Sequence, residues 1–175
     1  MRSPAPKSPL VTQSFGQSAG VLWGYRIRAG VAEPVSEETL ADCLADTDSW
    51  LWLHFALSDH RARRFLENFE PAPQAARAFV LGTEKRVQLH LSHDWSFGIL
   101  PDLEKDFAGN SLGVGRLNFM ADRRHLITAR HHPMRVVDDI RPTAETTLQD
   151  PASVLVRHVE RFIDIVEARL NDLSG

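Results

Sequence analysis

Trp50-Leu51-Trp52-Leu53-His54-Phe55 is six residues long, and only His54 among them is not apolar. A strand with one wet face alternates apolar and polar residues. A run this continuous marks a strand covered on both faces, the kind found in the middle of a parallel or mixed sheet. Upstream, Val21 to Ile27 reads as a first strand. Ser36 caps a short helix with Glu37 and Glu38 in its first turn and Leu40, Cys43 and Leu44 on its apolar face. Strand, helix, strand in this order suggests a βαβ unit with a right-handed crossover.

Downstream, Ser58 caps a second helix. Its Ala62, Phe65, Leu66 and Phe69 fall at i, i+3, i+4 and i+7, and Pro71 ends it. Pro73 starts a third helix that closes near Gly82. The period then changes from helical to alternating. Val87, Leu89 and Leu91 alternate with Arg86, Gln88 and His90, and a turn at Ser92-His93-Asp94 leads to Trp95, Phe97 and Ile99. After a glycine-rich loop from Gly109 to Gly115 come Leu117 and Phe119, a turn at Asp122-Arg123, and a strand from His125 to Thr128. Four such runs joined by turns read as an antiparallel meander. Pro133 opens a helix through about Arg141, and Pro142 breaks it.

The last element is the longest. Asp150 caps it and Pro151 suits its first position. Leu155, Val159, Phe162, Ile163, Val166, Leu170 and Leu173 then recur at spacings of three and four, an apolar stripe roughly six turns long. Arg157, Glu160, Arg161, Asp164, Glu167 and Arg169 supply the wet face. The expected fold is α/β: a mixed, mostly antiparallel sheet with helices on both faces, followed by a long C-terminal helix. The chain divides into a flexible tail of proline, serine and glutamine at 1–19, an α/β domain at 20–145, and the long helix with its lead-in at 146–175.

Composition bounds the function. The 175 residues carry 20 basic and 23 acidic side chains, a net charge of −3, with no basic patch of the size a nucleic-acid surface needs. Cys43 is the only cysteine, which excludes an intrachain disulfide or a cysteine-rich zinc module. No run approaches the ~20 apolar residues of a membrane span, and residues 1–20 lack the apolar core of a signal peptide. Phosphate loops, dinucleotide fingerprints and nucleophile elbows are absent, so no enzyme is expected.

Eight histidines invite a metal reading, since neutral imidazole is the commonest protein ligand. His90, His93 and Asp94 bracket a hairpin turn and can hold an exposed divalent ion; the plainer reading is a polar turn. His131 and His132 sit between the last strand and a helix, where one can serve as a cap or meet a neighbouring chain. His158 with Glu160 and Asp164 on the long helix can face a partner or a metal; the plainer reading is a solvated surface. His54 inside the apolar run reads as a hydrogen-bonded core histidine. Trp50, Trp52, Trp95 and Cys43 read as packing.

The residues also carry a family likeness. Trp52-Leu53-His54-Phe55-x-Leu57-Ser58-Asp59, with Arg63, Arg64, Phe65 and Leu66 in the helix that follows, resembles the early segment of CorA-type divalent-cation transporters, closest to the ZntB-like zinc branch. Leu126-Ile127-Thr128-Ala129-Arg130-His131-His132-Pro133 resembles that family's "LITxR" strand leading into a helix. Val154 to Leu170 resembles the start of its long stalk helix. The resemblance implies a cytoplasmic domain at the inner membrane, and a homopentamer whose domains form a funnel under the pore. It implies a stalk that runs on past Gly175 into two membrane helices with a Gly-x-Asn signature, and zinc as cargo. Free-standing binding of a small ligand or protein, and magnesium or cobalt in place of zinc, are the alternatives. Within a funnel, Glu160, Asp164 and Glu167 are the expected cation-gathering groups, offset by Arg157, Arg161 and Arg169.

Overall fold

The computed structural model describes residues 18–175. All but Ser18 and Ala19 of the expected tail therefore lie outside the described residues. Glu37 holds both of these, accepting from the Ser18 hydroxyl and the Ala19 N–H.

Seven strands form one sheet in the order β2-β1-β3-β7-β6-β5-β4. They are β1 (Val21–Arg28), β2 (Val31–Pro34), β3 (Trp50–Ala56), β4 (Gln88–Ser92), β5 (Trp95–Lys105), β6 (Ser111–Ala121) and β7 (His125–Arg130). The helices are α1 (Leu40–Ala45), α2 (His60–Glu67), α3 (Gln74–Leu81), α4 (Arg135–Asp139) and α5 (Pro151–Ser174). As its apolar run demands, β3 is central and buried along Trp50–Phe55. It pairs in parallel with β7, and every other strand pair is antiparallel.

Alternation splits the core into two layers. Leu53, Phe55, Met120, Ile127 and Phe97 pack under Leu40, Ala62, Leu66, Ala76 and Val80 of α1 to α3. Trp50, Trp52, Leu117 and Leu126 pack on the opposite face against Met134, Val137, Ile140, Leu148 and Val154. Helices thus cover both faces, as expected. Trp50, Trp52, Trp95 and Cys43 are all buried packing groups.

Several local expectations are corrected. The first unit is not βαβ. A tight turn at Ala29 (φ 49°) and Gly30 (φ 77°) sends the chain back as β2, so β3 runs antiparallel to β1. The glycine-rich loop is shorter than expected, because β6 already begins at Ser111. Gly115 lies within that strand, where a Cβ would sit 2.7 Å from Met134 Cε. Its glycine makes room for a close neighbour and does not form a turn. The second helix is capped by Asp59, which accepts from Arg61 N–H, and not by Ser58. Ser36 and Thr39 exchange hydrogen bonds in the turn before α1. The helix after Pro133 is a single short turn, Arg135–Asp139.

Candidate functional site

α5 begins as its sequence dictates. The Asp150 carboxylate accepts from Ser153 N–H, the Ser153 hydroxyl reaches back to the cap residue, and Pro151 opens the helix. Its apolar stripe, however, resolves into two. Val154, Leu155, Phe162 and Ile165 pack inward. Val156, Val159, Ile163, Leu170 and Leu173 are exposed, with Val166 half-buried among them. The outer set repeats at three, four, three, four and three residues, the a/d spacing of a helix seam that awaits another helix.

His158 lies on the inner face and not on the solvated surface. It is buried, and its Nε2 is 2.9 Å from the Pro101 carbonyl and 3.7 Å from Asp102 Oδ2. Asp102, buried on β5, accepts from three backbone N–H groups: Leu103 at 2.6 Å, Val136 at 2.7 Å and Val137 at 3.0 Å. Burial pushes the Asp102 carboxyl up, while His158 and the three donors act in the opposite direction. Burial pushes the His158 imidazole down against the pull of Asp102. One carboxyl thus ties β5 to the start of α4 and meets the one buried histidine of α5.

Outside this junction, an open groove of about 1100 Å³ runs between the β1–β2 turn, the segment after α4, and the flank of α5. Gly30, Ile140, Arg141, Arg157, Glu160 and Asp164 are among its walls. Glu160 and Asp164 are exposed there, one helical turn apart. Arg161 donates to Asp139 at 3.2 Å, so its partner within the protomer is on α4. Both signs of charge line the groove, which tempers its attraction for cations.

The remaining expected ligands are dispersed. His90 is on β4, hydrogen-bonded with Gln88 and stacked on Phe97, while His93 and Asp94 form the β4–β5 turn. His131 and His132 are exposed just past β7. Among the described residues, no group of three or more His, Cys, Asp and Glu gathers closely enough to hold a metal ion.

One cluster escapes sequence inspection. The Arg141 guanidinium lies 4.7 Å from the Trp23 ring centre and donates to the Tyr25 hydroxyl, and Trp23 stacks on His54. His54 is fully buried, hydrogen-bonded through Nδ1 with the Thr128 hydroxyl at 2.8 Å, and that hydroxyl also receives the Trp52 indole N–H. Burial, helped by Arg130 and Arg141, pushes the His54 imidazole down to about 3. These residues come from four separate segments: strand pairing joins β1, β3 and β7, and the segment after α4 lays Arg141 over them.

Comparison with known proteins agrees with this architecture. The family described as CorA-like Mg2+ transporter protein matches residues 47–174. No curated protein matches. Among solved structures, full-length CmaX superposes with a TM-score of 0.77 at 20% identity, covering 91% of this chain and 50% of CmaX. The ZntB cytoplasmic domain from Vibrio parahaemolyticus gives 0.71 at 18% identity, with 89% of this chain and 63% of that domain covered. The soluble domain of CorA from Methanocaldococcus jannaschii gives 0.58 at 8% identity, with 86% and 61% covered. This chain therefore spans between 50% and 63% of the lengths of these relatives. Among the described residues no helix is long and apolar enough to cross a membrane. With the family's sequence pattern running from β3 through α5, this chain belongs to the CorA-like Mg2+ transporter family.

Proposed function

We propose that this chain is the cytoplasmic domain of a divalent-cation transporter at the inner membrane. It performs no covalent chemistry. It assembles with copies of itself, as a homopentamer in the intact protein, into a funnel that guides cations toward a pore formed by membrane segments outside this chain. The family match over residues 47–174 carries the proposal. The exposed a/d seam of α5 supports the assembly step, because it is a surface built for a second helix.

Zinc is the cargo we favour. The histidine content and the fold shared with a ZntB cytoplasmic domain support it. Magnesium is the second reading, favoured by the description of the matched family and by the carboxylates Glu160 and Asp164. Those two groups are proposed to gather cations along α5. His90, His93 and Asp94 at the hairpin, and His131 and His132 after β7, are proposed as weaker contacts for a borderline-soft ion such as Zn2+. The buried His158, with Nε2 engaged, is the least accessible of the candidates.

The test is flux through the intact protein in proteoliposomes loaded with a zinc-sensitive or a magnesium-sensitive dye. Zinc flux that falls when Glu160 and Asp164 are both changed to Gln supports the proposal. Magnesium flux without zinc flux moves the assignment to the second reading. No flux of either ion, with the protein correctly inserted, overturns it.

A further inference from the structure

β4 is the last strand of the sheet, and among the described residues no strand pairs with its outer edge. Residues Val87–Ser92 contain no charged side chain and no proline. Natural edge strands are normally protected by lysine, proline, a bulge or a covering element. Instead Val87, Leu89 and Leu91 are exposed to 59%, 64% and 78%. The two-residue turn His93-Asp94 makes Ser92 and Trp95 a doubly hydrogen-bonded pair, and alternation extends this to His90 and Gln88. Val87, Leu89 and Leu91 therefore aim their backbone N–H and C=O groups outward, away from β5.

This edge is complementary to itself. Two antiparallel copies of β4 related by a twofold axis at His90 set Leu89 against the partner's Leu91, and Leu91 against the partner's Leu89. Both are residues with outward backbone groups, so they form doubly hydrogen-bonded pairs, and their four leucine side chains meet on one face. His90 stands opposite the partner's His90 as a non-hydrogen-bonded pair. Arg86, which holds Glu84 at 3.5 Å within its own chain, comes within reach of the partner's Asp94, and Asp94 within reach of the partner's Arg86. Shifting the axis to Leu89 keeps the hydrogen bonds but brings Glu84 toward the partner's Asp94, a like-charge contact. Charge thus selects the His90 register.

We propose that β4 is a self-association edge, where a second copy of this chain adds its own β4 antiparallel about His90 to continue the sheet. The interface lies on the sheet edge, independent of the α5 seam, and because a twofold pair cannot close within a ring of five it joins protomers of two separate assemblies.

A cysteine at His90 tests it, because non-hydrogen-bonded pairs bring Cα atoms to about 4.5 Å, within disulfide range. The native Cys43 is buried and does not compete. Oxidation of His90→Cys is expected to give a disulfide-linked dimer far faster than Gln88→Cys, whose partner in this register is Ser92. Adding Leu91→Lys, at an exposed position that leaves the fold intact, is expected to slow that cross-linking by at least about tenfold. Equal cross-linking at the two cysteine positions overturns the proposal. So does self-association in sedimentation that responds to Ile163→Lys on α5 and not to Leu91→Lys.

Discussion

Asp102 on β5 and His158 on α5 sit 3.7 Å apart, both buried, and the carboxyl accepts from three backbone N–H donors, Leu103 on its own strand and Val136 and Val137 on α4. Asp102 therefore serves three elements at once. Asp102→Ala is expected to cost about 3–5 kcal/mol, because it orphans the buried N–H donors of Leu103, Val136 and Val137, while His158 keeps its hydrogen bond with the Pro101 carbonyl. Asp102→Asn keeps one acceptor oxygen and is expected to cost less. Urea unfolding followed by circular dichroism measures both; equal, small losses for the two variants would show that the junction contributes little.

His54 gives the fold a pH dependence of known sign. Its folded value of about 3 lies below the ordinary imidazole value of 6.5. Between these limits the unfolded chain binds a proton that the folded chain does not, so stability is full above pH 6.5 and falls as pH drops below it. The expected slope is about 1.4 kcal/mol per pH unit in that window. In urea titrations at pH 7 and pH 5, His54→Leu should flatten the part of the slope due to this residue. A variant with the wild-type slope would assign the pH dependence elsewhere.

The β1–β2 turn holds an avoidable strain. Ala29 adopts φ 49°, a left-handed conformation that disfavours a Cβ, while Gly30 beside it adopts φ 77° without penalty. Ala29→Asn is expected to stabilise the domain by about 0.5–1 kcal/mol, since Asn-Gly is the preferred pair for such turns. A lower thermal midpoint for the variant would contradict this.

The same turn shows why part of the fold was hidden in the sequence. Asn-Gly or Asp-Gly announces a hairpin, but Ala29-Gly30 does not, so the sequence pattern hides β2 and suggests a parallel β1–β3 pair. By contrast, Trp50–Phe55 could belong only to the middle of a sheet, and the alternation around Trp95, Phe97 and Ile99 could form only strands. Gly115 resembles a loop residue because the close approach of Met134 is a tertiary fact. His158 illustrates the limit for sites. Its chain neighbours Arg157, Glu160 and Arg161 suggest the wet face, yet it stands three residues after Leu155 and four before Phe162, on the inward stripe, and the carbonyl that engages it, Pro101, is 57 positions away. The Trp23–His54–Arg141 cluster is likewise assembled by strand pairing and by the packing of the segment after α4, which no local pattern encodes.

Gly98 is a second place where backbone proximity dictates the residue. A Cβ there would lie 2.0 Å from the Gln88 carbonyl oxygen on the neighbouring strand. Backbone cannot rotate away as a side chain can, so Gly98→Ala must displace β4. The expected loss is about 1–3 kcal/mol. Faster amide exchange along Gln88–Ser92 is the signature to look for; unchanged protection there would mean that the strand accommodates the methyl group.

The two faces of α5 are expected to respond oppositely to substitution. Phe162 packs against Leu103, Val136 and Ile165, whereas Ile163, the next residue, is 47% exposed. Phe162→Ala removes a half-buried ring from under the helix and is expected to cost about 1–3 kcal/mol, with little direct effect on association. Ile163→Lys is expected to change monomer stability by no more than about 0.5 kcal/mol, yet to weaken self-association through the seam. Unfolding curves and sedimentation on the same two variants separate these effects. If Ile163→Lys instead destabilised the isolated fold while leaving association intact, the outer seam would be part of the domain core and α5 would have no free face to offer a neighbour.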